Sequence, residues 1–442
     1  MKLTPRLTPF SLCLLLLSMV LGACSTQQRI AKKVDKTFKH STVVNKYNVG
    51  FALYDLEADR MIYGKNEDKY FTPASNTKLF TFYGGLKMLG DSVPALRYVE
   101  RGDSLIFWST GDPSLLHAEL KSTKALKFLT DSHKQLFYSP GRYTGSFYGN
   151  GWSWDDYNDY YQAEISEFPV WGNLLELKSD AGKLSIRPRL FETCFVGDSL
   201  VQQERFHVQR DYESNTFHYP SKTAIPNDYT QQVPFKINIA TTLNLLSDTL
   251  HQQVKLVGMK MPADARTVYS MNKDAVLREM MLPSDNFIAE QLLLVYSNQL
   301  SETLSTPAAI KYIKEQYLKE LPDQPVWVDG SGLSRGNLFT PRSIVALLKM
   351  IYRDVNDQTR LFSMMPAGGK SGTLKKAYPK TDTPFVYGKT GTLSNVHNQS
   401  GYVLTRKGKI YLYSFMNNNY VQPTAEIRKE MGRIVTMIHE QF

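Results

Sequence analysis

Ser75-Asn-Thr-Lys78, Ser284-Asp-Asn286 and Lys389-Thr390-Gly391 stand in this order along the chain, and each carries part of one chemistry. A serine hydroxyl is a poor nucleophile until a base lies beside it. Ser75 and Lys78 are spaced i, i+3, which on a helix brings both side chains to one face near its N-terminus. A lysine serves as that base once burial and nearby cations lower its pKa toward neutrality, and a helix N-terminus suits developing negative charge. Ser284 and Asn286 follow Pro283 in a turn between two helical patterns. The Ser284 hydroxyl can relay a proton toward a leaving amine, and the Asn286 amide can hold Lys78 and a substrate carbonyl, with Asp285 directed elsewhere as a structural residue. Lys389, Thr390 and Thr392 can clamp a terminal carboxylate, and Gly391 permits an extended substrate to approach the strand edge. The backbone N–H groups of Ser75 and Thr392 suit an oxyanion, each contributing about 3–4 kcal/mol. Taken singly, the bland readings win: Ser75 caps a helix, Lys78 and Lys389 are surface charges, and Ser-Asp-Asn is a helix cap. The ordered set points instead to acyl transfer through a serine.

The elements that must position these motifs are legible from periodicity. Residues 25–42 are polar and Lys-rich and read as a tether plus an entry helix. Val49, Phe51 and Leu53 alternate with smaller or polar neighbours, and with 61–63 they predict a strand pair. Thr72-Pro73-Ala74 opens a helix striped with Leu79, Tyr83, Leu86 and Leu89 that stops at Gly90. From 92 to 262 short strand-like runs (104–108, 183–186, 191–196, 235–238) alternate with turn residues, which predicts a β-rich insert. Helical patterns return at 273–281, 287–299, 307–320 and 341–354. Strands follow at 385–389, 401–405 and 409–416, with Lys407-Gly408 as a hairpin turn. A closing helix from Thr424 presents Ile427, Met431, Ile434 and Ile438 on one face. The expected fold class is α+β, an antiparallel sheet flanked by helices and interrupted by the insert.

A chain of 442 residues exceeds one ordinary core. Its formal charge of +10 arises from 52 basic and 42 acidic residues spread without a basic block, which argues against nucleic-acid binding. Such a surface suits an anionic envelope polymer, or is simply a solvated one. At the N-terminus Lys2 and Arg6 precede an apolar run, 11–21, that ends in Leu21-Gly22-Ala23-Cys24, the layout of a secretory signal. The last four residues resemble the bacterial lipoprotein box, which implies acylation of Cys24 and a membrane anchor. With Cys13 removed and Cys24 lipidated, Cys194 is left alone, a thiol expected to be buried and structural. The eight His residues follow no His-Glu-x-x-His pattern, so metal-dependent peptidase chemistry has no support.

Further segments accompany the motifs: Pro73-Ala74, Gly111-Asp112-Pro113, Gly151-Trp152-Ser153-Trp154-Asp155-Asp156, Asp329-Gly330-Ser331-Gly332-Leu333-Ser334-Arg335, and Met365-Pro366 with Gly372-Thr373-Leu374. With these the chain, over about 47–420, resembles the low-molecular-mass class C penicillin-binding proteins, the D-Ala-D-Ala carboxypeptidase/endopeptidase family. The resemblance implies a penicilloyl-serine transferase domain (25–91 and 263–442) interrupted by an inserted β-rich region (92–262). Ser75 would attack the D-Ala-D-Ala carbonyl of a peptidoglycan stem peptide, or a β-lactam, without a cofactor or metal. Asp156 and Arg335 fall where such enzymes contact the stem, an acid in the insert being suited to a free amine. It implies a periplasmic enzyme, lipid-anchored and expected at the outer membrane. The 89–111 stretch is short for the family, and Ser394 stands where a larger polar residue is expected. Two other readings share these residues: a β-lactamase or esterase with the same acyl-serine core, which would deacylate fast, and a non-catalytic envelope lipoprotein that binds muropeptides.

Overall fold

The computed structural model describes residues 27–199 and 205–442, so the signal segment and Cys24 lie outside the described residues. A helix over 27–39 (α1) leads into the hairpin β1 (Asn48–Asp55) and β2 (Arg60–Lys65). A 3-10 turn, Ala74–Thr77, then runs into α2 (Lys78–Met88).

The inserted region follows. It contains β3 (Ser92–Arg101), β4 (Ser104–Ser109), α3 (Lys124–Asp131), β5 (Gln135–Tyr138), β6 (Leu174–Asp180), β7 (Lys183–Arg187), β8 (Phe195–Asp198), β9 (Gln209–Arg210), β10 (Phe217–Pro220), β11 (Thr230–Pro234), α4 (Ile239–Leu250) and β12 (Val254–Leu256). Strand β13 (Arg266–Asn272) leads directly into α5 (Lys273–Met281), followed by α6 (Asn286–Ser297), α7 (Thr306–Tyr317), α8 (Pro341–Val355) and α9 (Gln358–Ser363). The chain closes with β14 (Val386–Leu393), β15 (Val396–Leu404), β16 (Ile410–Asn418) and α10 (Thr424–Gln441).

Both ends of the chain build one five-stranded antiparallel sheet, ordered β14-β15-β16-β1-β2. Strand alternation sends its side chains to two cores. Val49, Phe51 and Leu53 of β1 pack with Ile30, Val34 and Phe38 of α1 and with the predicted stripe of α10. Ala52 faces the other way, toward α2, α5, α6 and α8. Helix α6 is buried all round because it runs between that second core and the insert. Leu292, Leu293 and Leu294 are fully buried, each contributing roughly 1.5–3 kcal/mol relative to exposure. The α+β class and the β-rich insert are as expected. Among the described residues no helix is long and apolar enough to cross a membrane.

The insert's main sheet, β12-β5-β4-β3, is mixed, takes β13 of the returning chain as its edge strand beside β3, and shares one core with the sheet β11-β6-β7. Two expected strands differ. Most of the predicted 191–196 strand is a 3-10 turn, Arg189–Cys194, in which Phe191 N donates to Pro188 O at 3.4 Å, and pairing starts only at Phe195. Residues 235–238 lead into α4 because the Asn238 side chain caps it, Oδ1 accepting from Thr241 N at 2.8 Å. Cys194 is half-buried against the insert core instead of enclosed by it.

Candidate active site

Ser75 lies in the Ala74–Thr77 turn, not in the α-helix that follows, and a 3-10 turn eclipses residues i and i+3. Lys78 Nζ accordingly reaches Ser75 Oγ at 3.0 Å. The turn is gripped from two sides. A Cβ on Gly332 would sit 1.9 Å from Ala74 O, and one on Gly391 would sit 2.6 Å from Pro73 O and 2.8 Å from Ser75 N. The space left by Gly391 is thus filled by the backbone around the serine. Only a glycine lets β14 approach the turn this closely. Ala74 itself adopts φ 48°, a left-handed conformation costing about 1–3 kcal/mol that packing must hold.

Lys78 is fully buried and gives its three protons to Ser75 Oγ, Asn286 Oδ1 (2.6 Å) and Ser331 O (2.8 Å). Burial pushes its ammonium down to about 8, against the opposing pull of Asp285, Glu290 and Asp329. The Ser331 carbonyl is held in place by Glu290, whose two carboxyl oxygens accept from Gly330 N at 3.0 Å and Ser331 N at 2.7 Å. Burial, with Asp329 nearby, raises the Glu290 carboxyl to about 8. Asp329 fixes the rest of this loop through Gly332 N, Ser334 N and Asn337 Nδ2.

Ser284 occupies the turn between α5 and α6 at φ 70°, and Asp285 caps α6 by accepting from Ile288 N at 2.8 Å, as expected. Lys389 Nζ crosses to Ser284 Oγ at 2.8 Å. Burial, reinforced by the charge on Lys78, drives the Lys389 pKa well below the usual lysine range. Thr390 Oγ1 meets Thr373 Oγ1 at 2.7 Å on the exposed side of the strand. Thr392 Oγ1 meets His397 Nδ1 at 2.8 Å, and burial pushes that imidazole down to about 3, leaving it neutral. β14 is an edge strand, and Gly388 N donates to Pro366 O across its outer side. By the two-residue alternation, Thr390 and Thr392 direct their N–H and C=O groups toward the same outer edge.

The insert reaches this cleft through backbone and anchor contacts. Asn286 Nδ2 donates to Tyr161 O at 3.0 Å, and Trp152 Nε1 donates to Asp329 Oδ2 at 2.9 Å. On the next position of α6 after Glu290, Gln291 donates to Gly111 O and Ser166 O, both at 2.9 Å, and accepts from Ser166 N at 3.1 Å. Gly111 lies against α6 so closely that a Cβ would sit 2.7 Å from Leu294 Cβ. Asp156, half-buried, lies among Tyr161, Asp155 and Asp159; burial and the two acids raise its carboxyl above the usual range while Tyr161 lowers it. Arg335 is exposed and donates to Ser394 O at 2.8 Å, bridging the 329–335 loop to the end of β14.

The three motifs therefore converge, while Asp156 and Arg335 sit on the segments that border them. Sequence reading missed Glu290, although an acid inside the apolar run 287–296 was a visible signal. It also missed the carbonyls of Ser331 and Tyr161, which as backbone atoms leave no signal.

Comparisons with known proteins identify the family and the fold. The family model of the D-Ala-D-Ala carboxypeptidase 3 (S13) family matches residues 30–440. The D-alanyl-D-alanine carboxypeptidase DacB of Haemophilus influenzae is 24% identical over 419 residues, covering 84% of this chain and 85% of that protein. The penicillin-sensitive carboxypeptidase A of Dictyostelium discoideum is 31% identical over 169 residues, 36% of this chain and 32% of that one. In fold, penicillin binding protein 4 of Haemophilus influenzae superposes with a TM-score of 0.72 at 19% identity, covering 92% of this chain and 99% of its own. With a family model spanning nearly the whole chain, the protein belongs to the D-Ala-D-Ala carboxypeptidase 3 (S13) family and is a serine-type D-Ala-D-Ala carboxypeptidase.

Proposed function

We propose that Ser75 is the nucleophile and Lys78 its general base, acting on the D-Ala-D-Ala end of peptidoglycan stem peptides and on β-lactams. The observation that carries this reading is the single buried ammonium on Ser75 Oγ, Asn286 Oδ1 and Ser331 O, with its pKa brought down to about 8. Near neutral pH a useful fraction of Lys78 is unprotonated and can take the Ser75 proton as Oγ bonds to the carbonyl carbon. The backbone N–H groups of Ser75 and Thr392 receive the oxyanion. Ser284, hydrogen-bonded to Lys389, passes a proton to the departing D-Ala amine. Asn286 orients both Lys78 and the peptide, and water then releases the acyl group. Lys389, Thr390 and Thr392 bind the terminal carboxylate, with Gly391 setting the strand against the serine. Asp156 and Arg335 contact the stem peptide from either side, and cross-linked stems are cut by the same steps. Residues 92–262 form the specificity insert of a catalytic unit made of 25–91 and 263–442. Lipidation at Cys24 holds the enzyme at the outer membrane, facing the periplasm.

Incubating the full chain with fluorescent penicillin and with purified muropeptides tests the mechanism. Covalent labelling and D-Ala release are expected, both lost in Ser75→Ala. Unchanged labelling of that variant contradicts the assignment. Rapid loss of label from the native chain would favour the β-lactamase reading.

A further inference from the structure

The sheet β11-β6-β7 buries Leu175, Leu177 and Val233 and turns a polar face outward. On that outer face Glu176 lies opposite Gln232, and Lys178 lies opposite Thr230. The face is the floor of an open groove of about 470 Å³, lined also by the 158–160 segment and His207. That volume falls in the range of about 300–1,000 Å³ typical of ligand sites. Tyr160 stands at its rim with 61% of its surface exposed. Lys178 Nζ pairs with Glu176 Oε1 at 2.6 Å, so the floor carries little net charge, and Asp159 adds a carboxylate at the wall that accepts from the Tyr161 hydroxyl.

We propose that this groove is a saccharide subsite that binds the N-acetylated glycan strand to which the stem peptide is attached. The chemistry fits an uncharged sugar. A ring such as Tyr160 offers a rigid apolar face for the C–H side of a pyranose, with a phenol at its edge. The amide of Gln232 and the hydroxyl of Thr230 suit hydroxyl and acetamido groups. The turn Tyr160–Gln162 links the groove to the cleft along the chain. Tyr160 is followed by Tyr161, whose carbonyl takes the Asn286 amide at 3.0 Å, and Asn286 in turn takes Lys78. A stem of four extended residues reaches about 14 Å, so the sugar must lodge within that span of the scissile bond. The inference rests on the stem-peptide reading above and adds the glycan to it.

The test has two arms. Titration of the full chain with N-acetylated chitotetraose, followed by protein-detected NMR or fluorescence, needs no turnover and so reads the groove even if the peptidase reading fails. Saturable binding is expected, weakened about fivefold or more by Tyr160→Ala and about threefold by Gln232→Ala. In the second arm, the kcat/KM ratio for glycan-linked over free pentapeptide is above one in the native chain and falls toward one in Gln232→Ala, a position remote from the nucleophile. Absence of saturable binding, or binding indifferent to both substitutions, overturns the proposal. Loss of turnover on both peptides alongside retained, Tyr160-dependent sugar binding would instead refute the peptidase reading and leave the groove standing.

Discussion

The nucleophile turn 74–77 and the insert segment 152–161 both border the cleft, and they are held in opposite ways. Ala74, Asn76, Thr77 and Lys78 are wholly buried, and the backbones at Gly332 and Gly391 press on the turn from two sides. The insert segment leaves Trp154 72% and Tyr160 61% exposed; Tyr157 and Asn158 bond it to the rest of the insert, and Trp152 to Asp329 and the Tyr161 carbonyl to Asn286 bond it to the elements of the cleft. Chemistry that depends on a displaced pKa and a sub-ångström position sits where neighbours leave no freedom. The recognition proposed above sits on the more exposed segment. Helix α6 joins the two, since Asn286 and Glu290 serve the lysine while Gln291 grips the insert.

That contrast can be broken from the rigid side first. Lys78→Arg keeps a cation but cannot lose its proton, and we expect acylation by penicillin to slow by about 10³-fold, with about 1–3 kcal/mol of stability lost to the larger buried side chain. Gly332→Ala drives a methyl into Ala74 O at a backbone φ of 85°. It should cost about 3 kcal/mol of stability and abolish penicillin labelling with it. On the seam, Gln291→Leu strips Ser166 and Gly111 of their buried partners. A loss of about 2 kcal/mol in urea unfolding is expected, with turnover of cross-linked dimers reduced more than labelling by penicillin. The smallest effect is expected of Trp152→Phe, which deletes one hydrogen bond to a carboxylate. It should lower stability by about 1.5 kcal/mol and leave penicillin acylation within a few-fold of native. An equal fall in acylation for the last two variants would show that the insert is part of the rigid assembly.

The same division explains what could be read in the sequence. The motifs, the β1–β2 hairpin and the stripe of α10 were legible because each is set by spacing within a few residues. The 191–196 run alternates like a strand, yet Pro188 supplies the carbonyl for a 3-10 turn and the pairing starts late. Gly391 announced a close approach but not which chain would make it. Glu290 meets Gly330 and Ser331 some forty residues away, a relation no local pattern encodes. Asp156 and Arg335 were proposed only through family resemblance, since a half-buried turn acid and an exposed loop arginine carry no signal of their own.

The central claim is that burial turns Lys78 into the base for Ser75, and the pH dependence of acylation tests it most directly. Because the neutral amine is the reactive form, the second-order rate constant for penicillin acylation should rise with pH and level off, with a midpoint of about 8. A rate that is flat from about pH 6 to about pH 9, or one still climbing as an ordinary solvated lysine would require, contradicts the account.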